Sequence, residues 1–316
     1  MSRSSVLGSP ITVLLPVYNA GPALRRAIDS ILAQSLPYFE FLIIDDCSTD
    51  GSRDLIESRA RDDPRLRPVL HERNMGLTAT LNQGLQIASG HLVARMDQDD
   101  EALPDRLACQ LEFMQLHLDV LVAGSAVFHM GARPKFDRLV TPPTAANELR
   151  EALQRYNCMY HPSVIMRRDA IVQMGGYRSE FKNAEDYDLW LRVSRRGGIV
   201  NMPTPLLRYR FTTSGMTLGR KWEQLSFVYL AQAAHAHGSQ ITDEVRQVAN
   251  RMLAETDRAY FFREVAKGTV AELNALRMWG NAVTLTLQLS NEIGRREALR
   301  LLRLIAASYV RATASH

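Results

Sequence analysis

Lysine is scarce in this 316-residue chain: Lys135, Lys182, Lys221 and Lys267 are the only ones among 38 basic residues. Arginine therefore carries nearly all of the formal net charge of +4. That excess is too diffuse to argue for nucleic acid, and fits an anionic ligand or a membrane surface. Cysteine is rarer still. Cys47, Cys109 and Cys158 are odd in number and form no CxxC or Cys/His pattern. This excludes a disulfide framework or structural zinc site and fits a reducing compartment. No run approaches the roughly 18 apolar residues a membrane span needs, and Met1 to Ser9 is too short and polar for a secretory signal. The expectation is a soluble cytoplasmic protein, with no repeat and no low-complexity tract. What is present in quantity is apolar sequence, 46% of the chain, enough for one large domain with an appendage or for two.

The first two hundred residues alternate short apolar runs with helical patterns. ITVLLPV (11–17) reads as a strand covered on both faces, and residues 23–34 as a helix. FEFLIID (39–45) is the second strand; DCSTDGS (46–52) is a turn leading to a helix over 53–61. RLRPVLH (65–71) reads as a third strand, with Pro68 arguing for an edge. A helix over 77–88 and a strand HLVARM (91–96) follow. This is the rhythm of a doubly wound α/β sheet. Later strands are expected at 120–128 and 161–167, then a helix at 186–197 and two short strands, IVNMP and LLRYRF, around 199–211. From about residue 221 the pattern is wholly helical. The expected division is an α/β domain over 1–217 and a helical region over 218–316.

In open sheets of this kind, ligands bind beyond the carboxyl ends of the strands. Asp45 and Asp46 end the second strand; Asp97, Asp99 and Asp100 follow the fourth. Right-handed crossovers bring such ends to one edge, so two acidic clusters would flank one crevice. Aspartates held this close repel one another unless a divalent cation intervenes, and hard oxygen ligands suit Mg²⁺ or Mn²⁺. A solvated loop capping the helix near Pro104 is the plainer alternative.

LLPVYNAGPALRRAIDSILAQS, FLIIDDCSTDGS, NMGLTATLNQGLQIASGHLVARMDQDD, LPDRLACQ, HPSVIMRR and NAEDYDLWLRV occur in that order. Together they resemble the inverting family 2 glycosyltransferases of the GT-A fold, over roughly residues 10–212. The resemblance implies a Rossmann-like, doubly wound mixed sheet with a helical C-terminal extension. It puts Pro16, Tyr18 and Asn19 against the nucleotide and lets Asp46 accept a hydrogen bond from base or ribose, with Asp45 orienting the loop. Asn74 would form the turn above the nucleotide. Asp97, Gln98 and Asp99 match the DxD motif, with Asp99 and Asp100 as metal ligands in one of two registers and Asp97 beside them on the donor. Asp186 is similar to the catalytic base and Glu185 to its supporting neighbour, although acids at a helix start also complement the macrodipole. Asp188 is the second choice of base. Arg210 would stabilise the departing charge or else cap the sheet edge, in a segment, RYRFTTSGMT, where relatives bring a loop over the diphosphate.

The implied reaction moves a sugar from a nucleotide diphosphate-sugar to a hydroxyl of a glycan or lipid-linked acceptor, in the usual setting of bacterial surface polysaccharide synthesis. RREALRLLRLIAASYVRA (295–312) places Leu299, Leu302, Ile305 and Tyr309 on one face of a basic helix, suited to packing on its own domain, to a homo-oligomer, or to an anionic membrane. Two alternatives remain at this point. One is a sugar-nucleotide pyrophosphorylase, whose glycine-rich basic loop PVYNAGPALR does not supply; the other is a non-catalytic nucleotide-sugar or carbohydrate-binding module.

Overall fold

The computed structural model describes residues 10–210 and 218–313. Met1 to Ser9, the segment from Phe211 to Thr217 expected over the diphosphate, and the expected boundary at 217/218 lie outside or at the rim of the described residues.

The chain opens with β1 (Ile11–Val17), α1 (Ala23–Leu32), β2 (Glu40–Asp45), α2 (Ser52–Asp62), β3 (Leu66–Leu70), α3 (Leu77–Ile87) and β4 (Leu92–Arg95). All seven residues of β1 are buried, and the pleat sends consecutive side chains to opposite layers. Leu14, Leu42, Ile44 and Val93 enter one core; Val13, Leu15, Phe41 and Ile43 enter the other. Helices α1 and α2 cover the second layer through Leu24, Ile28, Ile31 and Ile56. α3 covers the first through Leu81 and Leu85. It lies so close that a Cβ on Gly84 would fall 2.3 Å from Leu14 Cδ1, which is why glycine stands there.

Next come β5 (Glu101–Ala102), α4 (Arg106–Leu116), β6 (Val122–His129), β7 (Arg138–Val140), α5 (Ala146–Leu153), β8 (Ile165–Arg167), α6 (Arg168–Gln173), α7 (Glu185–Ser194) and β9 (Ile199–Tyr209). One mixed sheet results, in the order β3-β2-β1-β4-β8-β6-β9-β5, with β7 paired to β6. β1 is parallel to both β2 and β4, whereas β8 runs antiparallel to β4. β3 is the edge that Pro68 predicts. IVNMP and LLRYRF, expected as two strands, form the single strand β9; its pairing with β6 slips in register around Ala126, where Pro203 and Pro205 interrupt the ladder. β5, β7 and α5 are too short or too polar to show in the sequence pattern.

The rest is α8 (Leu218–Ala236), α9 (Asp243–Glu255), α10 (Arg258–Ala275), α11 (Trp279–Gln288), α12 (Ser290–Ile293) and α13 (Arg295–Thr313). α8 and α9 pack into the α3/α7 layer through Leu230, Ala231, Val245 and Ala249. α10 to α13 enclose a separate core around Phe262, Leu273, Leu285 and Leu301. The inward stripe of α13 is Ala298, Leu301 and Ile305. Of the face read from the sequence, Ile305 is buried whereas Leu299 and Tyr309 stand exposed, because the 3.6-residue repeat through Ile305 selects 298 and 301.

Candidate active site

The parallel strands β1, β2 and β4 end at one edge, and a cleft of about 780 Å³ opens there. Pro16 and Tyr18 line it from the end of β1, Asp46 and Asn74 from the β2 and β3 loops. Asp97, Asp99 and Arg210 line the same cleft. Seven residues expected from the sequence thus share one cavity. Asn19, Asp100, Glu185 and Asp186 are not part of its lining.

Asp46 is buried and closely held. Its Oδ1 accepts from His71 Nδ1 at 2.7 Å and from the Met75 amide at 2.7 Å; its Oδ2 accepts from the Gly76 amide at 2.8 Å. A carboxylate only accepts, so Nδ1 of His71 donates to Asp46, while Nε2 faces the side-chain oxygen of Gln83, which is also an acceptor. Gly76 has φ +85°, a left-handed turn that aims its N–H at the carboxylate and suits glycine. Asp45, the neighbouring acid, is paired with Arg53 at 2.9 Å and accepts from the Ser48 amide, so it orders the loop. Asn19 (φ +47°) faces that same loop: its Oδ1 accepts from the Thr49 amide and its N–H donates to Ser48 Oγ. It braces the cleft's rim.

The DQDD turn is held differently. Gln98 exchanges two bonds with the Tyr18 backbone, at 2.8 and 3.2 Å, tying the turn to the end of β1. Asp97 pairs with Arg95. Asp100 is buried; its Oδ1 accepts from the Arg210 amide at 2.6 Å, and its Oδ2 has no hydrogen-bond partner among the described residues. The Arg210 guanidinium donates from Nε to the Asp99 carbonyl at 2.8 Å, so this residue both lines the cleft and clamps the motif. Burial and the charge of Asp97 push the Asp99 carboxyl above the usual range, and Arg210 offsets part of this. Burial, then Asp97 and Asp99, push Asp100 well above it. These acids cannot all carry charge cheaply. A divalent cation would relieve them, and the unpartnered Oδ2 of Asp100 fits one. Among the described residues no three His, Cys, Asp or Glu side chains form a ready-made cage. Any metal would therefore share its ligands with phosphate oxygens, the habit of Mg²⁺.

Lys182 and Asn183 also line the cleft, and α7 starts two residues later. Asp186 is partly buried on its first turn; Oδ2 accepts from Asn157 Nδ2 at 2.8 Å and Oδ1 from the Tyr187 amide. Burial raises its carboxyl, while these two bonds and Arg95 pull the other way. Burial and the charge of Asp186 push Glu185 up to about 7. Asp188 is held between Arg178 and Arg192, so its carboxylate is already engaged. His161 bonds to the Tyr177 hydroxyl at 2.8 Å and is kept neutral by burial, as a scaffold histidine. Arg106 is wholly buried and donates to the Arg95 carbonyl. That leaves Arg95 as the cation behind the site: it is buried, paired with Asp97, and lowers the carboxyls of Asp99, Asp100, Glu185 and Asp186.

His71, Gln98 as a bracket, Asn157 and Lys182 were not singled out by sequence reasoning. Only Gln98 carried a local signal, through its place inside the DxD motif. The others meet the site through contacts distant in the chain.

A nucleotide-sized cleft with acids and an arginine at one end, and a raised carboxyl pair beside it, can bind a diphosphate and accept a proton. The comparisons agree. Residues 12–175 match the model of "Glycosyl transferase family 2". The amylovoran biosynthesis glycosyltransferase AmsE of Erwinia amylovora is 30% identical over 217 residues, 68% of this chain and 81% of its own. Among solved structures, Staphylococcus aureus TarS 1-349 with UDP-GlcNAc superposes with a TM-score of 0.58 at 18% identity, covering 96% of this chain and 92% of that one. The Pyrobaculum calidifontis mannosyltransferase PcManGT, solved with GDP-Man and Mn²⁺, gives 0.57 at 18% identity, over 95% and 80%. These likenesses carry the fold, a GT-A type α/β sheet with a helical C-terminal region. With more than half its length matched by the family model, the chain belongs to glycosyl transferase family 2.

Proposed function

We propose that this glycosyltransferase transfers a sugar, with inversion, from a nucleotide diphosphate donor to a glycan or lipid-linked hydroxyl in polysaccharide synthesis. The supporting observation is that Asp46, Asp99 and Arg210, which come from three distant parts of the chain, line one cleft. The amylovoran role in the name of AmsE supports the pathway class.

In this reading the base and ribose lie toward Tyr18, Asp46 and Asn74, with Asp46 held rigid by His71 and two amides. The diphosphate lies toward Asp97, Asp99 and Arg210. Asp99 faces the cleft and is the first carboxylate a cation would meet; Asp100, reached through its unpartnered Oδ2, is the second. A divalent ion there would neutralise charge growing on the departing diphosphate, and PcManGT was solved in complex with Mn²⁺. Arg210 adds a fixed positive charge on the same side. Asp186 takes the proton of the acceptor hydroxyl as that oxygen attacks the anomeric carbon opposite the leaving group. Its raised proton affinity suits this task, and Asn157 fixes the oxygen that is not bonded to Tyr187. Glu185 keeps the pair's charge low until the proton moves.

The outer face of α13 carries Arg296, Leu299, Arg300, Arg303 and Leu304, all exposed. This mixture supports contact with an anionic membrane more than self-association, which would set arginines against arginines. Among the described residues no helix is long and apolar enough to cross a membrane. The test is a panel of sugar nucleotides with Mn²⁺ or Mg²⁺ and the purified chain. Metal-dependent release of nucleoside diphosphate from one donor is expected; release from none, with no nucleotide bound, ends the proposal.

A further inference from the structure

A second, smaller pocket of about 300 Å³ lies between residues 140–143 and 156–160. We propose that it is a subsite for one uncharged pyranose ring of the acceptor; this rests on the transferase reading above and adds where the acceptor sits and what chemistry it has.

Position is the first argument. Asn157, in the pocket wall, donates to Asp186 Oδ2 at 2.8 Å. Tyr160, in the same wall, packs its ring 5.2 Å from that of Tyr209, which lines the donor cleft. One wall thus touches the base and the donor cavity, where an attacking hydroxyl has to be presented.

Lining is the second. Among the described residues no charged side chain borders the pocket, in contrast to the donor cleft with its aspartates, Lys182 and Arg210. A phosphate or carboxylate would be buried there without a counter-charge. Pro142, Pro143, Met159 and the ring of Tyr156 offer flat apolar surface, while Thr141 and Asn157 supply hydrogen-bonding groups. That combination matches a sugar ring, with C–H bonds on its faces and hydroxyls on its edge. Tyr156 is 53% exposed, so its ring serves no core.

Rigidity is the third. Asn201 Nδ2 donates to the Pro143 carbonyl at 3.0 Å. The Tyr160 hydroxyl meets His129 Nε2 at 2.8 Å, and His129 Nδ1 meets Glu272 of α10 at 2.7 Å. The helical region therefore fixes a wall of this pocket, and fixed walls lower the cost of binding.

The test is saturation-transfer NMR with methyl glycosides of glucose, galactose, mannose and N-acetylglucosamine. They are added to the full chain loaded with diamagnetic Mg²⁺ and whichever of UDP, GDP, ADP or dTDP it binds. At least one glycoside is expected to receive saturation from wild type. Its affinity should fall about tenfold in Tyr156→Ala, the scale of one lost aromatic contact, and persist in Tyr156→Trp, with nucleotide affinity the same in all three. Binding of no glycoside to the nucleotide-loaded protein overturns the subsite, as does equal binding by Tyr156→Ala. Failure of every nucleotide to bind wild type is a different result, and would remove the transferase reading beneath it.

Discussion

The two ends of the donor cleft treat a buried carboxylate in opposite ways. At the nucleotide end, Asp46 has three N–H donors, and each comes from the segment that crosses over it, His71 to Gly76. At the DQDD turn, Asp99 and Asp100 lie within reach of each other and of Asp97, and Asp100 Oδ2 has no hydrogen-bond partner among the described residues. Glu185, pushed up by burial and by the charge of Asp186, is a second acid whose charge is not balanced. The same residue type is thus a finished structural joint in one place and an unfinished electrostatic balance in the other. On the function proposed above, unbalanced charge marks where something arrives during the reaction: a cation at the first acid group, a proton at the second.

The most severe way to break this comparison is Asp186→Asn. The variant has one oxygen left to accept from either Asn157 or the Tyr187 amide and cannot take up a proton, and kcat should fall by about 10²- to 10⁴-fold while donor affinity holds. Single-turnover kinetics with a fixed acceptor separates the two quantities; a kcat within a few-fold of wild type would transfer the role to another group. Asp99→Asn comes next. Losing one side of the cation site should cost at least about a hundredfold, since charge neutralisation of this kind supplies several kcal/mol. Chelation of wild type should have the same effect, reversed by Mn²⁺ or Mg²⁺. Full activity in excess chelator would mean that Arg210 and Arg95 balance the acids unaided.

At the nucleotide end the effects should be smaller and of another kind. His71→Ala removes one of the donors to Asp46 but leaves both amides. The donor KM should rise roughly tenfold, the size of a hydrogen bond to a charged group, with kcat unchanged. His71→Asn, which can still donate from about the position of Nδ1, should recover part of it. A fall in kcat instead would show that the two ends are not separable.

How much of this could be read from the chain depends on distance along it. The α/β rhythm and the strand-end acids are local patterns, and Asp46, Asp97 and Asp99 fall in the expected cleft for that reason. Asn19 was legible as a residue beyond β1, but not as a brace, since its partners belong to the β2 loop. Likewise, nothing near residue 71 announces a link to Asp46 25 positions earlier, or near Asn157 a link to Asp186. β9 was split in two because prolines at 203 and 205 disrupt the alternation that a bulge tolerates. The docking of α8 and α9 into the catalytic layer was hidden for the same reason: helical periodicity identifies an apolar face and says nothing of what covers it.

The least effect, and the most direct test of imbalance, is on stability. Burial and Asp186 raise Glu185 from an ordinary 4.5 to about 7. An acid whose carboxyl is raised in the folded state holds its proton there after the unfolded chain has lost it. Stability should therefore fall as pH rises from about 4.5 to about 7, and the penalty should persist above that. Glu185→Gln cannot ionise, so it should match wild type near pH 4 and exceed it at pH 8, by roughly 2–4 °C in Tm for each kcal/mol relieved. Activity should not gain with it, because the neighbour that tunes Asp186 is gone; stability and function diverge at such sites. Calorimetry at the two pH values reads the sign directly. A wild-type Tm that is flat across this window, with no gain for Glu185→Gln at pH 8, would make the second acid pair as settled as Asp46, and the contrast between the two ends would then rest on the DQDD turn alone.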